Sequence, residues 1–317
     1  MNISLLEPLN LPQAALDALA APLRAAGHSF IAWPEKAQSP EEMLRRAAGQ
    51  DIVIIANTPF PESVVRGADK LRLLDVAFTG IDHVALAACR EKGVTVCNCA
   101  NYSNQAVAEM TIGLALSLLR RIPEGDRALR LGQGSAGLTG GEIRGRTVGV
   151  IGTGRIGTRV AALFQAFGAR VIAHSRTPKK ELEALGVAYL PLDGLLRQSD
   201  IVTLHVPAIR ETKGLIGGRE LALMRPSALL INCARGPVVD TEALGRALRA
   251  GRLAGAGLDV FDQEPPLPKD HPLLDAPNLI LTPHVAYLTQ EAMWRRAKIA
   301  FENVAAYLRG APQNVCE

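Results

Sequence analysis

The sequence predicts an α/β protein built from two doubly wound parallel-sheet domains. Short apolar strands alternate with helical segments along the chain, and a glycine-rich turn follows one of these strands near residue 152. The length of 317 residues suits two hydrophobic cores, and a composition of 48% hydrophobic and 21% charged residues is typical of a well-packed globular chain. We therefore expect two α/β domains with a ligand cleft between them.

The first hundred residues predict β-α-β units of a parallel sheet. The apolar strands are ISLLE, DIVIIAN, LRLLDVAF and GVTVCN, and PQAALDALAAPLRAAG is typical of a helix between the first two. Asn57-Thr58-Pro59 and Phe78-Thr79-Gly80 follow two of these strands. We expect both turns at the carboxyl edge of the sheet, where doubly wound sheets bind their ligands.

Residues 103–121, SNQAVAEMTIGLALSLLRR, predict a helix that is apolar nearly all round. Such a helix must be covered on several sides, either by the core of its own domain or by a partner subunit. The segment 132–145 contains six glycines and predicts an extended loop or arm. We expect a homodimer in which this helix and this arm form the interface.

A second α/β pattern continues to about residue 283. Its predicted strands are TVGVIG, ARVIAHS, IVTLHVP, ALLINCA, GAGLDVF and NLILTPH. A final amphipathic helix, residues 287–311, is expected to pack back on the first domain. The predicted boundaries are thus 1–101 plus 287–317 for a discontinuous first domain and 102–286 for the second.

Composition disfavours several classes of function. The net charge of +4 is scattered without a basic block, so we expect no nucleic-acid partner, and the N-terminus shows neither a signal peptide nor a membrane anchor. The five cysteines are odd in number, which favours free thiols and a reducing, cytoplasmic location. The CNC segment has no partner ligands at metal-site spacing, so no metal site is expected.

The glycines of TVGVIGTGRIG predict a phosphate-binding turn. Gly152 permits the tight turn, Gly154 lets the backbone approach a pyrophosphate, and Gly157 lets the following helix pack closely on the strand. Arg155 and Ile156 lie in the first turn of that helix, whose free N–H groups favour bound phosphate. The motif after a strand and before a helix predicts a Rossmann domain that binds a dinucleotide.

The segment VIAHSRTPKK predicts which dinucleotide is bound. About 20 residues beyond the glycines, a site for NAD carries an acid that accepts from the ribose 2′-hydroxyl. Here the position falls on Ser175, followed by Arg176 and Thr177, with two lysines close behind. An arginine fork and two hydroxyls favour a 2′-phosphate. We expect NADP(H) to be preferred and NAD(H) to be possible; a solvated basic turn without discrimination is the alternative.

Three predicted strands of the second domain are followed by residues suited to acid–base chemistry. INCARGPVVD contains Arg235, GLDVFDQEPP contains Asp259 and Glu264, and LILTPHVAYLT contains His284. All lie just past apolar strands, where the carboxyl edge of the sheet binds ligands.

Together these segments resemble the D-2-hydroxyacid dehydrogenase family, NAD(P)-dependent enzymes that interconvert 2-oxo acids and D-2-hydroxy acids. The resemblance spans nearly the whole chain, through FTGIDHV, NQAVAE, GRTVGVIGTGRIG, DIVTLHVPAIRETKGLI, NCARGPVVD, DVFDQEP and TPHVAYLT. It implies a flavodoxin-like substrate domain beside the Rossmann domain. It also implies a catalytic triad of Arg235, Glu264 and His284.

The chemistry of these side chains agrees with the resemblance. A histidine titrates near neutrality and suits the donation of a proton to the developing alkoxide, and a neighbouring glutamate would orient the ring. Arg235 would hold the substrate carboxylate and polarise the carbonyl. The substrate-binding residues that the resemblance implies beside Arg235 and His284 are Asn57, Thr79 and Gly80. The further cofactor contacts that the resemblance implies are His205, Val206, Pro207, Thr212, Cys233, Ala234, Asp259 (to the nicotinamide carboxamide) and Ala286.

One departure from the family pattern concerns the arm, where Gly134 occupies a position at which many members carry tryptophan. The substrate expected from the resemblance is a small 2-oxo acid such as glyoxylate or hydroxypyruvate. A bulkier 2-oxo acid is an alternative, since Phe78 and Tyr287 could line an apolar pocket. A nucleotide-sensing, corepressor-like binding protein on the same fold is another alternative, and formate dehydrogenase is disfavoured because that branch has glutamine at the position of Glu264.

Overall fold

A computed structural model describes residues 1–316, and the chain divides into two units. Unit 1 comprises Met1–Ser103 and the chain from Leu288 onward, and unit 2 comprises Asn104–Tyr287. Each unit contains its own parallel sheet.

Unit 1 begins with five strands and four helices in alternation. They are β1 Asn2–Leu5, α1 Gln13–Ala25, β2 Ser29–Ala32, α2 Pro40–Ala47, β3 Ile52–Ile55, α3 Glu62–Gly67, β4 Leu73–Val76, α4 Leu86–Glu91 and β5 Thr95–Asn98. The five strands pair in the order β2-β1-β3-β4-β5, all parallel, which is the doubly wound order of flavodoxin-like sheets. Every residue of β3 is buried, because helices cover both faces of the sheet.

Unit 2 contains a larger sheet. Its elements are α5 Asn104–Leu119, α6 Ile122–Arg130, β6 Thr147–Ile151, α7 Arg155–Ala166, β7 Arg170–His174, α8 Lys180–Ala184, β8 Ala188–Tyr189, α9 Leu192–Gln198, β9 Ile201–Leu204, α10 Gly218–Leu223, β10 Leu229–Asn232, α11 Thr241–Arg249, β11 Gly255–Leu258 and β12 Leu279–Leu281. The seven strands pair in parallel in the order β12-β11-β10-β9-β6-β7-β8. The predicted α/β class with two doubly wound parallel sheets is confirmed.

The chain then returns to unit 1 through the long helix α12, Gln290–Leu308. Thr289 caps its first turn by accepting a hydrogen bond from the amide of Ala292, at 3.1 Å. Phe301 and Val304 are buried in unit 1, and the Phe301 ring lies 5.4 Å from that of Phe30. The helix therefore completes the core of unit 1.

Asp75 on β4 is a buried carboxyl group in the core of unit 1. Asn303 of α12 donates to one of its oxygens at 2.8 Å, and the other oxygen has no hydrogen-bond partner among the described residues. Burial raises the pKa of Asp75 from 3.8 to about 8. The carboxyl group is therefore protonated in the folded chain at neutral pH.

This protonation predicts how stability depends on pH. Between pH 3.8 and about 8 the folded state holds a proton that the unfolded state has released, so the free energy of unfolding should fall as pH rises through this window. Asp75→Asn keeps the oxygen that accepts from Asn303 and removes the ionisation. Thermal denaturation from pH 5 to 9 should show a flatter dependence and a higher Tm at alkaline pH in this variant. Exposed Asp69→Asn is the control, and an unchanged slope in Asp75→Asn would contradict the prediction.

Six elements were not predicted individually, namely β2, α2, α3 and α4 of unit 1 and α6 and β8 of unit 2. Each has nine residues or fewer, which is too short for a reliable apolar period. The predicted helix 103–121 is α5, and eight of its sixteen residues are buried. It packs on α7 and on β10, β11 and β12 of its own unit, so most of its apolar surface requires no partner subunit.

Within residues 1–316 no helix has the length and apolarity needed to cross a membrane. The five cysteines, all among these residues, are free thiols, and four of them are buried. No group of three or more His, Cys, Asp or Glu side chains in the same range is arranged to hold a metal ion.

Candidate active site

The glycine-rich turn lies between β6 and α7, at the carboxyl end of a central strand. Gly152 has φ +91°, and a Cβ there would lie 2.5 Å from the carbonyl oxygen of His205. A Cβ on Gly157 would lie 1.9 Å from the Gly152 carbonyl oxygen. Gly154, in contrast, has nothing within 4 Å of its Cβ position. Two glycines thus allow close backbone packing, while the third leaves open space at the start of α7.

A cavity of about 380 Å³ opens beside this turn. Its lining contains most of the cofactor residues predicted from this part of the chain, namely Gly152, Gly154, Ser175, Arg176, Thr177, His205, Val206, Pro207 and Thr212. Lys179 lies in the same lining. Glu211, an acid that the sequence reasoning did not place there, also lines the cavity.

These residues fit the adenosine-phosphate end of a dinucleotide. Helix α7 begins at Arg155 with no side-chain cap on its first amides, so its N-terminus can accept a phosphate. The space at Gly154 lets that phosphate approach the backbone. Arg176 and Lys179 supply two cationic side chains beyond the turn, against the single acid Glu211.

His205 lies in the same cavity lining as an uncharged ring. Its Nε2 lies 2.9 Å from the hydroxyl of Thr203, and burial lowers the pKa of His205 to about 3. A ring that stays neutral at physiological pH does not exchange protons with a substrate there. The geometry therefore assigns His205 to shaping the cavity wall.

The other predicted residues follow three neighbouring strands. Arg235 lies three residues beyond β10, Asp259 directly follows β11, and His284 lies three residues beyond β12. Because these strands are adjacent and parallel in the sheet, their ends lie together at the same carboxyl edge. The predicted juxtaposition of the three segments is present within unit 2.

His284 and Glu264 form a hydrogen-bonded pair. Nδ1 of His284 lies 2.8 Å from Oε2 of Glu264, and the two side chains are 27% and 49% exposed. The ring of Tyr287 lies 5.6 Å away in an edge-on arrangement. These contacts fix the imidazole plane and leave Nε2 as the nitrogen available to a ligand.

The backbone of His284 is held in an unusual conformation by Asp259. His284 has φ +54°, a left-handed value that non-glycine residues seldom adopt and that is often found at functional sites. One Asp259 oxygen accepts from the Thr282 hydroxyl at 2.6 Å and the Val285 amide at 2.9 Å, and the other accepts from the Ala286 amide at 2.8 Å. The loop carrying His284 thus wraps around the Asp259 carboxylate.

Burial raises the pKa of Asp259, while the three donors oppose that rise by stabilising the charged form. The resemblance implied only a contact from Asp259 to the nicotinamide. The structure shows that Asp259 also supports the loop that carries His284, which sequence spacing could not reveal.

Arg235 is anchored by its own neighbourhood. Its backbone oxygen accepts from the Asn232 side chain at 2.9 Å, and one guanidinium nitrogen donates to the Ala234 carbonyl at 2.8 Å. The next residue, Gly236, packs directly on the loop that leads to Glu264, since a Cβ on Gly236 would lie 1.8 Å from the Phe261 carbonyl group. The Arg235 and Glu264 segments are therefore in backbone contact.

Cys233 is a buried, protonated thiol. Burial raises its pKa to about 12, which leaves little thiolate at neutral pH. Of the remaining cofactor predictions, Arg155, Ile156 and Gly157 lie at the start of α7, and Ala234 and Ala286 flank the Arg235 and His284 segments. The structure therefore places all of them near the carboxyl edge of the sheet.

The substrate-binding residues predicted from unit 1 follow two adjacent strands of its sheet. Asn57 lies beyond β3, where its side chain accepts from Lys36 at 2.6 Å. Thr79 and Gly80 lie beyond β4, and the Thr79 carbonyl accepts from the Asn98 side chain at 2.9 Å. Both turns thus occupy the carboxyl edge, as predicted.

Buried Glu7 supports the first of these turns and was not predicted. One of its oxygens accepts from the amides of Ala56 and Thr58, at 2.7 and 3.0 Å, and the other accepts from the Thr58 hydroxyl at 2.9 Å. The turn that contains Asn57 is therefore fixed on both sides of that residue.

Known proteins resemble the chain over this whole arrangement. A family model for the D-isomer specific 2-hydroxyacid dehydrogenase, NAD binding domain, matches residues 112–286. A glyoxylate reductase of Thermofilum pendens is 38% identical over 308 residues, covering 95% of this chain and 90% of that protein. A glycerate dehydrogenase of Methylorubrum extorquens is 39% identical over 293 residues, covering 89% and 90%.

A solved structure of an acyclic imino acid reductase in complex with NADPH and D-Arg matches with a TM-score of 0.90 and 30% identity, covering 100% of both chains. The predicted family and the predicted enzymatic activity are confirmed by these matches. The chain belongs to the D-isomer specific 2-hydroxyacid dehydrogenases, oxidoreductases that use a nicotinamide cofactor.

Proposed function

We propose that this enzyme reduces a small 2-oxo acid of the glyoxylate or hydroxypyruvate type to the D-2-hydroxy acid, with NADPH as the preferred cofactor. The cofactor preference rests on one observation: Ser175, Arg176, Thr177 and Lys179 line the same cavity as the glycine turn. Hydroxyl and cationic side chains favour a 2′-phosphate, where an NAD site places an acid. The solved imino acid reductase that resembles the chain is in complex with NADPH, and the Thermofilum relative is a glyoxylate reductase.

The nicotinamide cofactor, when bound, supplies the hydride for C2 of the substrate. His284 then donates a proton to the developing alkoxide from Nε2, while Nδ1 remains paired with Glu264 at 2.8 Å. The hydrogen bonds to the Asp259 carboxylate, called here the Asp259 clamp, hold the loop that carries His284. The imidazole ring therefore needs little reorganisation when the proton moves.

Arg235 binds the substrate carboxylate through its fork of donors and polarises the carbonyl. Its backbone is fixed by Asn232, which limits the freedom of the guanidinium. Asn57, Thr79 and Gly80 of unit 1 are the further residues that we propose for substrate binding.

A small substrate is favoured over a bulkier acid. Phe78 is buried and packs at 5.8 Å between ring centroids against Tyr102 within unit 1. This packing supports a small substrate, because it leaves little of the Phe78 ring free to line an apolar pocket. Tyr287 lies edge-on to His284, where it supports the imidazole.

Initial rates with a panel of 2-oxo acids and both reduced cofactors test the proposal. Glyoxylate and hydroxypyruvate should give the highest kcat/KM values, with NADPH above NADH. Higher kcat/KM for branched or aromatic acids would contradict the substrate assignment, and equal values for the two cofactors would contradict the preference.

Ser175→Asp is expected to shift the preference toward NADH. The new carboxylate accepts from the 2′-hydroxyl of NADH and repels a 2′-phosphate, so the NADPH-to-NADH ratio of kcat/KM should fall by roughly 10-fold or more. Ser227→Asp, outside this cavity, is the matched control and should leave the ratio unchanged. A ratio that does not move in Ser175→Asp would rule out a role for the basic segment.

We also propose a cytoplasmic homodimer. The five free thiols suit a reducing compartment. Helix α6 has no buried residue. The exposed fractions of Ile122 and Leu129 on this helix are 54% and 76%, and that of Leu131, which follows it, is 63%. A second copy that covers this apolar face would remove it from water, and sedimentation equilibrium measures the expected dimer mass.

A further inference from the structure

Tyr189 connects two segments that line the cofactor cavity without lining the cavity itself. It lies at the end of the short strand β8, paired with Ala173 of β7. The ring is half-buried. Its hydroxyl accepts a hydrogen bond from the amide of Lys179 at 3.0 Å and donates one to the hydroxyl of Thr153 at 3.1 Å.

The two partners of Tyr189 belong to different parts of the cavity. Thr153 is a buried residue of the glycine turn, and its carbonyl accepts from the Thr158 hydroxyl of α7 at 3.2 Å. Lys179 ends the basic segment Ser175–Lys179, whose side chains are half-buried to exposed. The near end of the basic segment is joined to the turn by the Gly152 amide, which donates to the His174 carbonyl at 2.8 Å. The Tyr189 hydroxyl joins the far end of the segment, at Lys179, to the same turn.

We propose that the Tyr189 hydroxyl is a positioning group for cofactor discrimination, which holds the basic segment at the spacing that a 2′-phosphorylated nucleotide requires. The inference rests on the proposed NADPH preference and extends it to a residue outside the cavity lining. Charge-assisted hydrogen bonds to a phosphate depend on donor placement within tenths of an ångström. Without the Tyr189 hydroxyl, the basic segment samples other positions and the 2′-phosphate loses hydrogen-bond donors. The 5′-phosphate on the glycine turn keeps its hydrogen-bond donors.

Tyr189→Phe removes the hydroxyl and keeps the ring, and Tyr307→Phe on α12 of unit 1 is the matched control. Isothermal titration of the full chain with adenosine 2′,5′-bisphosphate and with 5′-AMP separates the two phosphates. In Tyr189→Phe, affinity for the bisphosphate should fall about 3- to 10-fold, the range expected for one lost hydrogen bond, with 5′-AMP changed less than about 2-fold. Tyr307→Phe should leave both affinities unchanged.

Hydrogen exchange of the cofactor-free protein gives a second readout. The peptide that contains residues 175–180 should exchange about 3- to 10-fold faster in Tyr189→Phe than in the wild type, since the Lys179 amide loses its acceptor. In steady state, KM for NADPH should rise while kcat stays constant, which general destabilisation of the fold would not produce.

These experiments distinguish the role of Tyr189 from the proposed NADPH preference on which it rests. If the wild type prefers the bisphosphate and Tyr189→Phe keeps this preference, only the role of Tyr189 is overturned. The same holds if Tyr189→Phe lowers the affinity for both nucleotides equally. A wild type that binds both probes equally overturns the NADPH preference and, with it, any discriminating role for Tyr189. In either case, an unchanged hydrogen-exchange rate of residues 175–180 in Tyr189→Phe would show that the Tyr189 hydroxyl does not hold this segment.

Discussion

His284→Ala is expected to lower kcat for 2-oxo acid reduction by about 10²- to 10⁴-fold, the usual contribution of a positioned general acid. The loss follows because Glu264 then has no ring to orient, and the developing alkoxide must take its proton from water. Pre-steady-state and steady-state rates with glyoxylate and NADPH measure the effect. Titration of NADPH in the absence of substrate should give a dissociation constant within about 2-fold of wild type, since the change removes a transition-state interaction.

A second variant separates the ring from its strained backbone. Because His284 has φ +54°, alanine at this position adds backbone strain to the loss of the imidazole. Asparagine tolerates left-handed values, so His284→Asn keeps the loop conformation and still removes the proton donor. Its kcat should be as low as that of His284→Ala; a rate within about 10-fold of wild type would show that His284 is not the general acid.

Gly236→Ala is expected to have the second-largest effect, without removing any polar group. The added Cβ would lie 1.8 Å from the Phe261 carbonyl and 2.4 Å from the Asp262 amide, so either the Arg235 segment or the loop to Glu264 must move. A displacement of about 1 Å at reacting groups costs on the order of 10²-fold in rate. We expect kcat/KM to fall by about that factor, with a moderate drop in Tm from overpacking.

Gly218→Ala provides the matched control for this clash. A Cβ on Gly218 meets only the Ala243 side chain, at 4.0 Å, which is ordinary van der Waals contact. Its kinetics and melting temperature should match the wild type. If Gly236→Ala has the kcat/KM of the wild type, the Arg235 segment and the loop to Glu264 can separate without affecting activity. This result would contradict the prediction that the backbone contact between them matters for catalysis.

The sequence could predict those features that depend on local pattern. The glycine turn follows a strand and precedes a helix, and each site residue from Arg235 to His284 follows an apolar run, so topology alone gathers them at one edge. The His284–Glu264 pair was implied by the resemblance to the family, and the chemistry of the two side chains agreed with it. Their hydrogen bond is present.

Other features depend on residues that lie far apart in the chain and carry no motif. The Asp259 clamp consists largely of bonds to backbone amides more than 20 residues away, and Glu7 supports the Asn57 turn across a gap of about 50 residues. Tyr189 lies on a strand of two residues, too short for any periodicity. The sequence left open whether the core of its own domain or a partner subunit covers α5; its packing on α7 and on β10 to β12 covers part of it, and its role in a dimer stays a prediction.

Because unit 1 is interrupted in the chain, translation completes the two units in a fixed order. All of unit 2 is synthesised before Gln290, the first residue of α12, whereas β4 and α1 of unit 1 must wait for this helix to pack against them. At ribosomal rates of about 5–20 residues per second, the interval lasts roughly 10 to 40 s. During that time the nascent unit 1 exposes the apolar surface that Phe301 and Val304 later cover, which is the kind of species most prone to aggregation.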